Sequence, residues 1–370
     1  MNDPHLHIVS FDVPWPANYG GVIDVFYRAR ALSEAGVKVH LHCYEYGRGE
    51  QEALDFCHEV YYYKRDTSLL RQFGRRPYIV ASRRSKELVN RLLQDDYPIL
   101  CEGIHTAALL EEESLKGRKI FVRMHNIEQD YYRQLGRAEK KWWKRCYYMM
   151  EARKLERYEP VLERASGILA ITEKDAASLS ARYANVTLLP PSCATDKVTA
   201  QAGRGEYVLY HGNLSVRENE EAANWLLDNV FSKLSIPCVI AGLNPSQPLR
   251  DRINEVSSVK LHANVTEEEM RDLIRNAHIN VLVTHQPTGL KLKLLNALYQ
   301  GRHCVVNGDM VSGTDLGALC TVAEDGPSMI AAIGQLWGNP FSEKEDQKRQ
   351  KFLSTLYDNR ANAMKLLELL

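Results

Sequence analysis

The sequence predicts an α/β protein built from two doubly wound parallel sheets. Three observations predict it. Short apolar runs alternate with amphipathic stretches almost from end to end, as βα units require. A segment without hydrophobic period interrupts the series at 190–206, and the alternation then restarts. The length of 370 residues suits two domains, at about 100–200 residues each.

In order, the first strand reads LHIVSF. A helix over Val22–Glu34 follows, with Val22, Phe26, Ala29 and Leu32 on its apolar face. VKVHLHCY and EVYYYK are the next strands, then a helix over Ile79–Leu93, and the strands PILCE and KIFVRMH. A long helical segment, Glu139–Glu163, precedes the strand GILAIT. Residues Pro190–Glu206, rich in Pro, Gly, Ser and Thr, read as a linker. Beyond it come YVLYHG, a helix from Glu218, PCVIAG, VKLHANV, a helix over Glu267–Asn276, INVLVTH, a helix over Leu290–Tyr299, and HCVVNGD. The end of the chain, 342–370, carries apolar Phe352, Leu353, Leu356, Met364, Leu366 and Leu367, so a helix there must lie against an apolar surface. The expected domains are 1–192 and 205–345, with a terminal helix 353–370 packing back on the first.

Lysine and arginine total 47, against 47 aspartates and glutamates, which excludes a protein that coats nucleic acid through bulk basicity. Nothing approaches the ~18 consecutive apolar residues of a membrane span, and MNDPHLHIVSFDVPW lacks the features of a signal peptide. The eight cysteines are scattered without CxxC or Cys/His spacing. That pattern fits reduced thiols and makes the cytoplasm the expected location. Two basic segments, 64–91 and 137–157, stand out, the second interleaved with Trp142, Trp143, Tyr147 and Tyr148. They suggest peripheral contact with an anionic membrane at its inner face. The favoured, more ordinary interpretation is a surface helix that buries its aromatic stripe.

Chemistry concentrates after the strands, where open α/β sheets bind ligands. Gly20 and Gly21 open the first helix, and Tyr19 precedes them; a glycine pair there lets backbone approach an anion, although a plain tight turn would look the same. His125, Asn126 and Glu128 follow one strand, and Glu102 and His105 another. These donors and acceptors suit a hydroxyl-rich substrate, and also suit helix capping. In the second half Gly212, Asn213 and Arg217 follow a strand, and Arg217 could meet a diphosphate or stay solvated. Lys291 and Lys293 fall at the start of the helix after Gly289 and Leu290, where they oppose the helix dipole. That placement becomes favourable once an anion sits there. Asn296 lies one turn on. No nucleophile elbow, Walker loop, HExxH or metal-spaced carboxylates occur.

The stretches NYGGVIDVFYRARALSEAGVKV, RMHNIEQDYY, ERASGILAITEKD, TLLPPS, YHGNLSVRENEEAANWLL, VIAGLNPS and TGLKLKLLNALYQGRHCVV, in that order, resemble the glycosyltransferases of family 4. The resemblance implies the GT-B architecture: two Rossmann-like domains facing across a cleft, with a C-terminal helix crossing back to the first. It implies a metal-independent, retaining transfer from a nucleotide-sugar such as a UDP- or GDP-sugar, without a further cofactor, to a glycan or lipid-linked saccharide. Surface polysaccharide synthesis, and a hexosyl- or mannosyltransferase type, follow from it in the same way. By position it makes His125, Lys293 and Arg217 catalytic. Together with the strand-end positions, it places Gly20, Gly21, Gly212, Asn213, Thr288, Gly289, Leu290, Lys291 and Asn296 at the expected donor site; the strand-end reading expects Tyr19, Glu102, His105, Asn126 and Glu128 at the acceptor. The family's pair of glutamates, eight positions apart, would fall at Thr288 and Asn296, neither acidic. That departure keeps two other functions open, a non-catalytic sugar-binding subunit and a nucleotide-sugar epimerase of the same architecture.

Overall fold

The structure, a computed structural model, describes residues 3–195, 197–286 and 289–370. They divide into two compact units, Met1–Cys193 with Tyr357–Leu370, and Ala194–Leu356. The first runs β1 (His5–Ser10), α1 (Gly20–Glu34), β2 (Lys38–Glu45), β3 (Glu59–Lys64), α2 (Tyr78–Ala81), α3 (Lys86–Leu92), β4 (Ile99–Glu102), β5 (Ile120–Met124), α4 (Glu128–Ala138), α5 (Trp142–Tyr158), β6 (Gly167–Ala170), α6 (Glu173–Ser180) and β7 (Val186–Leu188). The second runs β8 (Val208–His211), α7 (Arg217–Asn229), β9 (Cys238–Gly242), α8 (Gln247–Asn254), β10 (Val259–Ala263), α9 (Glu267–Asn276), β11 (Ile279–Leu282), α10 (Leu292–Gln300), β12 (His303–Val306), α11 (Gly308–Val311), β13 (Thr321–Val322), α12 (Gly326–Trp337) and α13 (Glu343–Leu356). The last helix, α14 (Asn359–Leu369), belongs to the first unit.

The first sheet has the order β3-β2-β1-β4-β5-β6-β7 and the second β10-β9-β8-β11-β12-β13, with every strand pair parallel. In both, the order reverses beside the first strand, so the crevice between the carboxyl ends of β1 and β4, and of β8 and β11, is the natural ligand position.

Burial explains why these runs became strands. In the first unit Leu6 and Ile8 pack with Val39, Leu41 and Cys43 under α1, and α14 adds Ala363 and Leu366 to that face. Val9, Ile99, Cys101 and Val122 face the other layer with Leu88 and Leu92 of α3 and Leu155 of α5. In the second unit Leu209, Val239 and Ala241 pack on Ile274 and Ala277.

Three segments differ from the sequence expectation. The helix expected over Ile79–Leu93 is two short helices, because Arg83 turns inward to the carbonyls of Phe11 and Ile79 and Ser85 caps a new start at Leu88. The segment Glu139–Glu163 is helical only over Trp142–Tyr158 and tightens to a 3₁₀ turn at Glu159–Arg164 that contains Pro160. The terminal segment 342–370 is two helices, broken before Asp358, whose carboxylate caps α14 at Ala361. β7, β13, α4, α6, α8, α11 and α12 have no counterpart among the elements expected from the sequence.

Candidate functional site

In the first unit the site is built on charge buried at the carboxyl ends of β4 and β5. Arg123 lies in β5, fully buried, so its guanidinium must find internal acceptors. It takes Asp24 of α1 at 2.7 and 3.2 Å, and the carbonyls of Leu189 and Pro190 at 2.9 and 3.2 Å. Asp24 also accepts from Arg28, one turn on, at 2.8 Å and from the Ser192 backbone at 2.7 Å. The second Arg28 nitrogen bonds Glu102 Oε1 at 2.5 Å, and Glu102 Oε2 faces His125 Nε2 at 2.8 Å. A carboxylate only accepts, so the ring donates from Nε2. Its Nδ1 stands 3.6 Å from Asp24 Oδ2. Two arginines and two carboxylates thus balance around one histidine. Burial alone would raise both acids, but the guanidiniums of Arg123 and Arg28 hold Asp24 down, and Arg28 and His125 hold Glu102 down.

Glu102, expected to bind the acceptor, is wholly buried, with one oxygen on Arg28 and the other on His125. His125 itself is almost buried and packs edge-on to Phe11 at 5.4 Å. His105, half-buried, stacks obliquely on the same ring at 5.1 Å. Its Nδ1 is buried without a hydrogen-bond partner, and burial beside Arg83 pushes its basicity far down. Glu128 begins α4 with Asn126 Nδ2 at 3.4 Å, and its burial pushes the carboxyl up to about 7, near neutrality. Such a group can carry a proton at physiological pH. Tyr19 leads into Gly20 and Gly21 and donates to Asp12 at 2.7 Å. Arg48 fixes the same loop through the Pro16 carbonyl at 2.6 Å and Asn18 at 2.7 Å. A Cβ on Gly21 would lie 2.6 Å from Phe11 Cζ, so a larger residue there would have to displace that ring.

In the second unit the site gathers at the ends of β8 and β11. Gly212 and Asn213 follow β8, and a Cβ on Gly242 would strike the Gly212 carbonyl at 1.9 Å, so that glycine lets two strand ends close together. Asn219 Nδ2 bonds the Asn213 carbonyl at 2.9 Å, while its Oδ1 accepts from Lys293 Nζ at 2.9 Å. Lys293 also stands 5.2 Å from the centre of the Tyr210 ring. Lys291 occupies the N-cap position of α10 and Lys293 its first turn. Burial lowers both ammonium groups, Lys293 to about 8, with Glu218 opposing that shift. Glu218 in turn accepts from Thr284. Arg217 starts α7 and bonds Glu221 at 2.8 Å on the exposed surface. Gly289 adopts φ 64°, in the left-handed region that favours glycine. Leu290 and Asn296 are half-buried, Asn296 one turn beyond Lys293. Thr288 lies outside the described residues.

The helices nearest these clusters share one property. α1, α4, α7 and α10 start without a side-chain N-cap, whereas α6, α8, α9 and α12 are capped by Thr172, Ser246, Thr266 and Asp325. Among the described residues, then, no N-cap side chain accepts from the first-turn N–H groups of α1, α7 and α10, which lie at the ligand edge of their sheets. The sequence reading missed Asp24, Arg28, Arg123 and Glu218. For the first three a signal existed: charges on the apolar face of a helix, and an arginine inside an apolar strand.

Comparison with known proteins adds three findings. Residues 205–339 match the family model described as glycosyl transferases group 1. The chain is 25% identical over 339 residues to an uncharacterized 44.6 kDa protein in a cps region of Klebsiella pneumoniae, covering 86% of this chain and 87% of that one. Among solved structures it resembles sucrose-phosphate synthase from Thermosynechococcus elongatus, with TM-score 0.71, 15% identity and coverage of 99% and 98%. It also resembles a mutant of S. aureus TarM in complex with fondaparinux, alpha-GlcNAc-glycerol and UDP, with TM-score 0.68, 13% identity and coverage of 100% and 99%. These whole-chain likenesses show the fold to be the GT-B one.

Proposed function

We propose that this chain is a retaining glycosyltransferase that moves a sugar from a nucleotide-sugar to a saccharide acceptor during surface polysaccharide assembly. The observation that carries this is the lysine pair at the uncapped start of α10. Two partly desolvated ammonium groups stand at a helix start whose N-cap residue makes no side-chain capping bond, a setting that favours a multiply charged anion. A nucleoside diphosphate supplies one, and the family match covers these residues. UDP in the TarM complex and the cps relative support a UDP-sugar donor and a polysaccharide product.

In this reading, Lys291 and Lys293 neutralise the departing diphosphate, and the N-termini of α7 and α10 stabilise it further. Arg217 must leave Glu221 to join them, which makes it the weaker of the expected cations. The first unit serves the acceptor. Asn126 and Glu128 meet its hydroxyls, with Glu128 tuned to exchange a proton, while Glu102 and Asp24 hold the His125 ring in place. No metal enters this scheme, since the lysines take over the role of a divalent cation.

The test is transfer from a panel of UDP- and GDP-sugars to oligosaccharide acceptors, with the product anomer read by NMR. The expected outcome is transfer with retention, reduced about 10²–10³-fold in Lys293→Ala, the scale of losing one charge-stabilising donor. Transfer near the wild-type rate in that variant would contradict the phosphate assignment.

A further inference from the structure

The aromatic helix α5 buries only part of its stripe: Tyr147 and Tyr148 are half-buried, Tyr148 against Tyr132 of α4 at 6.1 Å, while the tryptophans stand out. Trp142 is 76% exposed and Trp143 55%, and Met150 is exposed at 43%. The segment after β3 does the same, with Leu69 at 70% and Leu70 and Phe73 at 84%. These six side chains come from two parts of the chain that are fastened together: Lys154 bonds the Gln72 carbonyl at 2.7 Å, and the Tyr78 backbone donates to Glu151 at 2.6 Å. Isolated exposed apolar residues need no explanation, but a group of large ones on joined segments does.

Charge identifies the occupant. Along the exposed side of α5, Trp142, Cys146, Met150, Arg153 and Arg157 recur at helical spacing, so apolar and basic groups share one face. The carboxylates beside them are already paired: Asp66 with Arg71, Glu151 with Lys154 and Glu156 with Arg133. Arg75, Arg153 and Arg157 have no carboxylate partner among the described residues. These three arginines and Phe73, Met150 and Tyr158 line an open cavity of about 680 Å³ between the two segments. A cavity with an apolar wall and a cationic rim fits a lipid phosphate with the start of its acyl chains.

We propose that this face of the first unit docks on an anionic lipid bilayer, inserting Leu70, Phe73, Trp142 and Trp143 while Arg75, Arg153 and Arg157 meet lipid phosphates. A soluble acidic protein would match the charge but would leave four large apolar groups without an apolar partner. No described helix is long and apolar enough to cross a membrane, so the contact is peripheral. The segment after β3 leaves the sheet at the carboxyl end of that strand, and α5 follows α4, which leaves from the carboxyl end of β5, the end that also carries His125 and Glu128. Docking there would bring a membrane-borne acceptor to that edge.

Co-flotation of the full chain with phosphatidylcholine vesicles, with and without phosphatidylglycerol, tests the docking independently of any transferase activity. The expected result is flotation with the phosphatidylglycerol vesicles alone, weakened by salt. Arg153→Gln and Arg157→Gln should each weaken it by about five-fold. Phe73→Ser with Trp142→Ser should abolish it, and brominated phosphatidylglycerol should quench tryptophan fluorescence in the wild type. All four positions are exposed, so circular dichroism should remain that of the wild type. Absence of flotation, equal flotation with both vesicle types, or flotation unchanged in these variants would overturn the proposal. Capture by an acidic polypeptide without vesicle binding would overturn it as well.

Discussion

At the scale of single residues, the first unit depends on charges that water never reaches. Asp24 receives four nitrogen donors, from Arg28, twice from Arg123 and from the Ser192 backbone, and the arginines it holds are themselves buried. Removing one partner of a buried network strands the others, at a cost of about 3–5 kcal/mol. Asp24→Ala should therefore lower the unfolding free energy by about that amount in urea titration. A loss under ~1 kcal/mol, the size of an exposed ion pair, would show that the network is far more solvated than its burial implies. Lys291 and Lys293 were legible in the sequence because their charges run against the helix dipole. Arg217 was legible only as a cation after a strand, and its engagement with Glu221 depends on a rotamer that no spacing encodes. Glu102 was found as a polar residue at a strand end, but which way its oxygens point is set by Arg28 and His125, distant in sequence.

At the scale of elements, one face of β1, β2 and β3 carries a tier of imidazole and phenol rings. Tyr63 bonds His42 at 2.9 Å, His42 bonds His7 at 2.9 Å, and His7 bonds Asp95 at 3.0 Å. Since Asp95 only accepts, His7 donates from Nε2; as a neutral ring it then accepts at Nδ1 from His42, which accepts from the Tyr63 hydroxyl. Beside this chain, His5 bonds His40 at 2.8 Å and His40 bonds Glu59 at 2.6 Å. Burial lowers His7 and His42, and their histidine neighbours lower His42 further, while Asp95 partly restores His7. The fold thus binds fewer protons than the unfolded chain once pH falls below the ordinary histidine value of 6.5. Stability is fully present above that value and is lost as pH falls through it toward the folded values. Each histidine contributes a slope of about 1.4 kcal/mol per pH unit. The buried Glu128 carboxyl, raised to about 7, works in the opposite sense over the same range, so the readout is the difference between variants: from pH 7.5 to 5.5 the urea-unfolding free energy should fall less in His42→Gln than in the wild type, and equal changes in the two would contradict the tier's neutrality. The strands themselves were legible because VKVHLHCY and LHIVSF are apolar on their other face. The tier was not, because pairing across strands appears only when the register is known. Likewise, a continuous helical pattern over Ile79–Leu93 concealed the inward turn of Arg83.

At the scale of the whole molecule, equal numbers of acids and bases, 47 each, conceal strong local imbalance. Acids balance bases around His125, while bases outnumber them on the exposed face of α5 and at the start of α10. Both sheets share the order in which the first strand stands beside the fourth, and the expected ligand residues follow strands at or beside that reversal, β1, β4 and β5 in one unit and β8 and β11 in the other. Alternation of apolar runs made the two-sheet fold legible. The loops were less so, since polar residues after strands serve caps and ligands equally. A nucleoside diphosphate is the ligand proposed for the start of α10. Isothermal calorimetry with UDP- and GDP-sugars tests it most directly. The expected result is heat from at least one donor, lost in Lys293→Ala and weakening as pH rises through about 8, where burial places the lysine's deprotonation. Binding by no donor, or equal binding by wild type and variant, would contradict it.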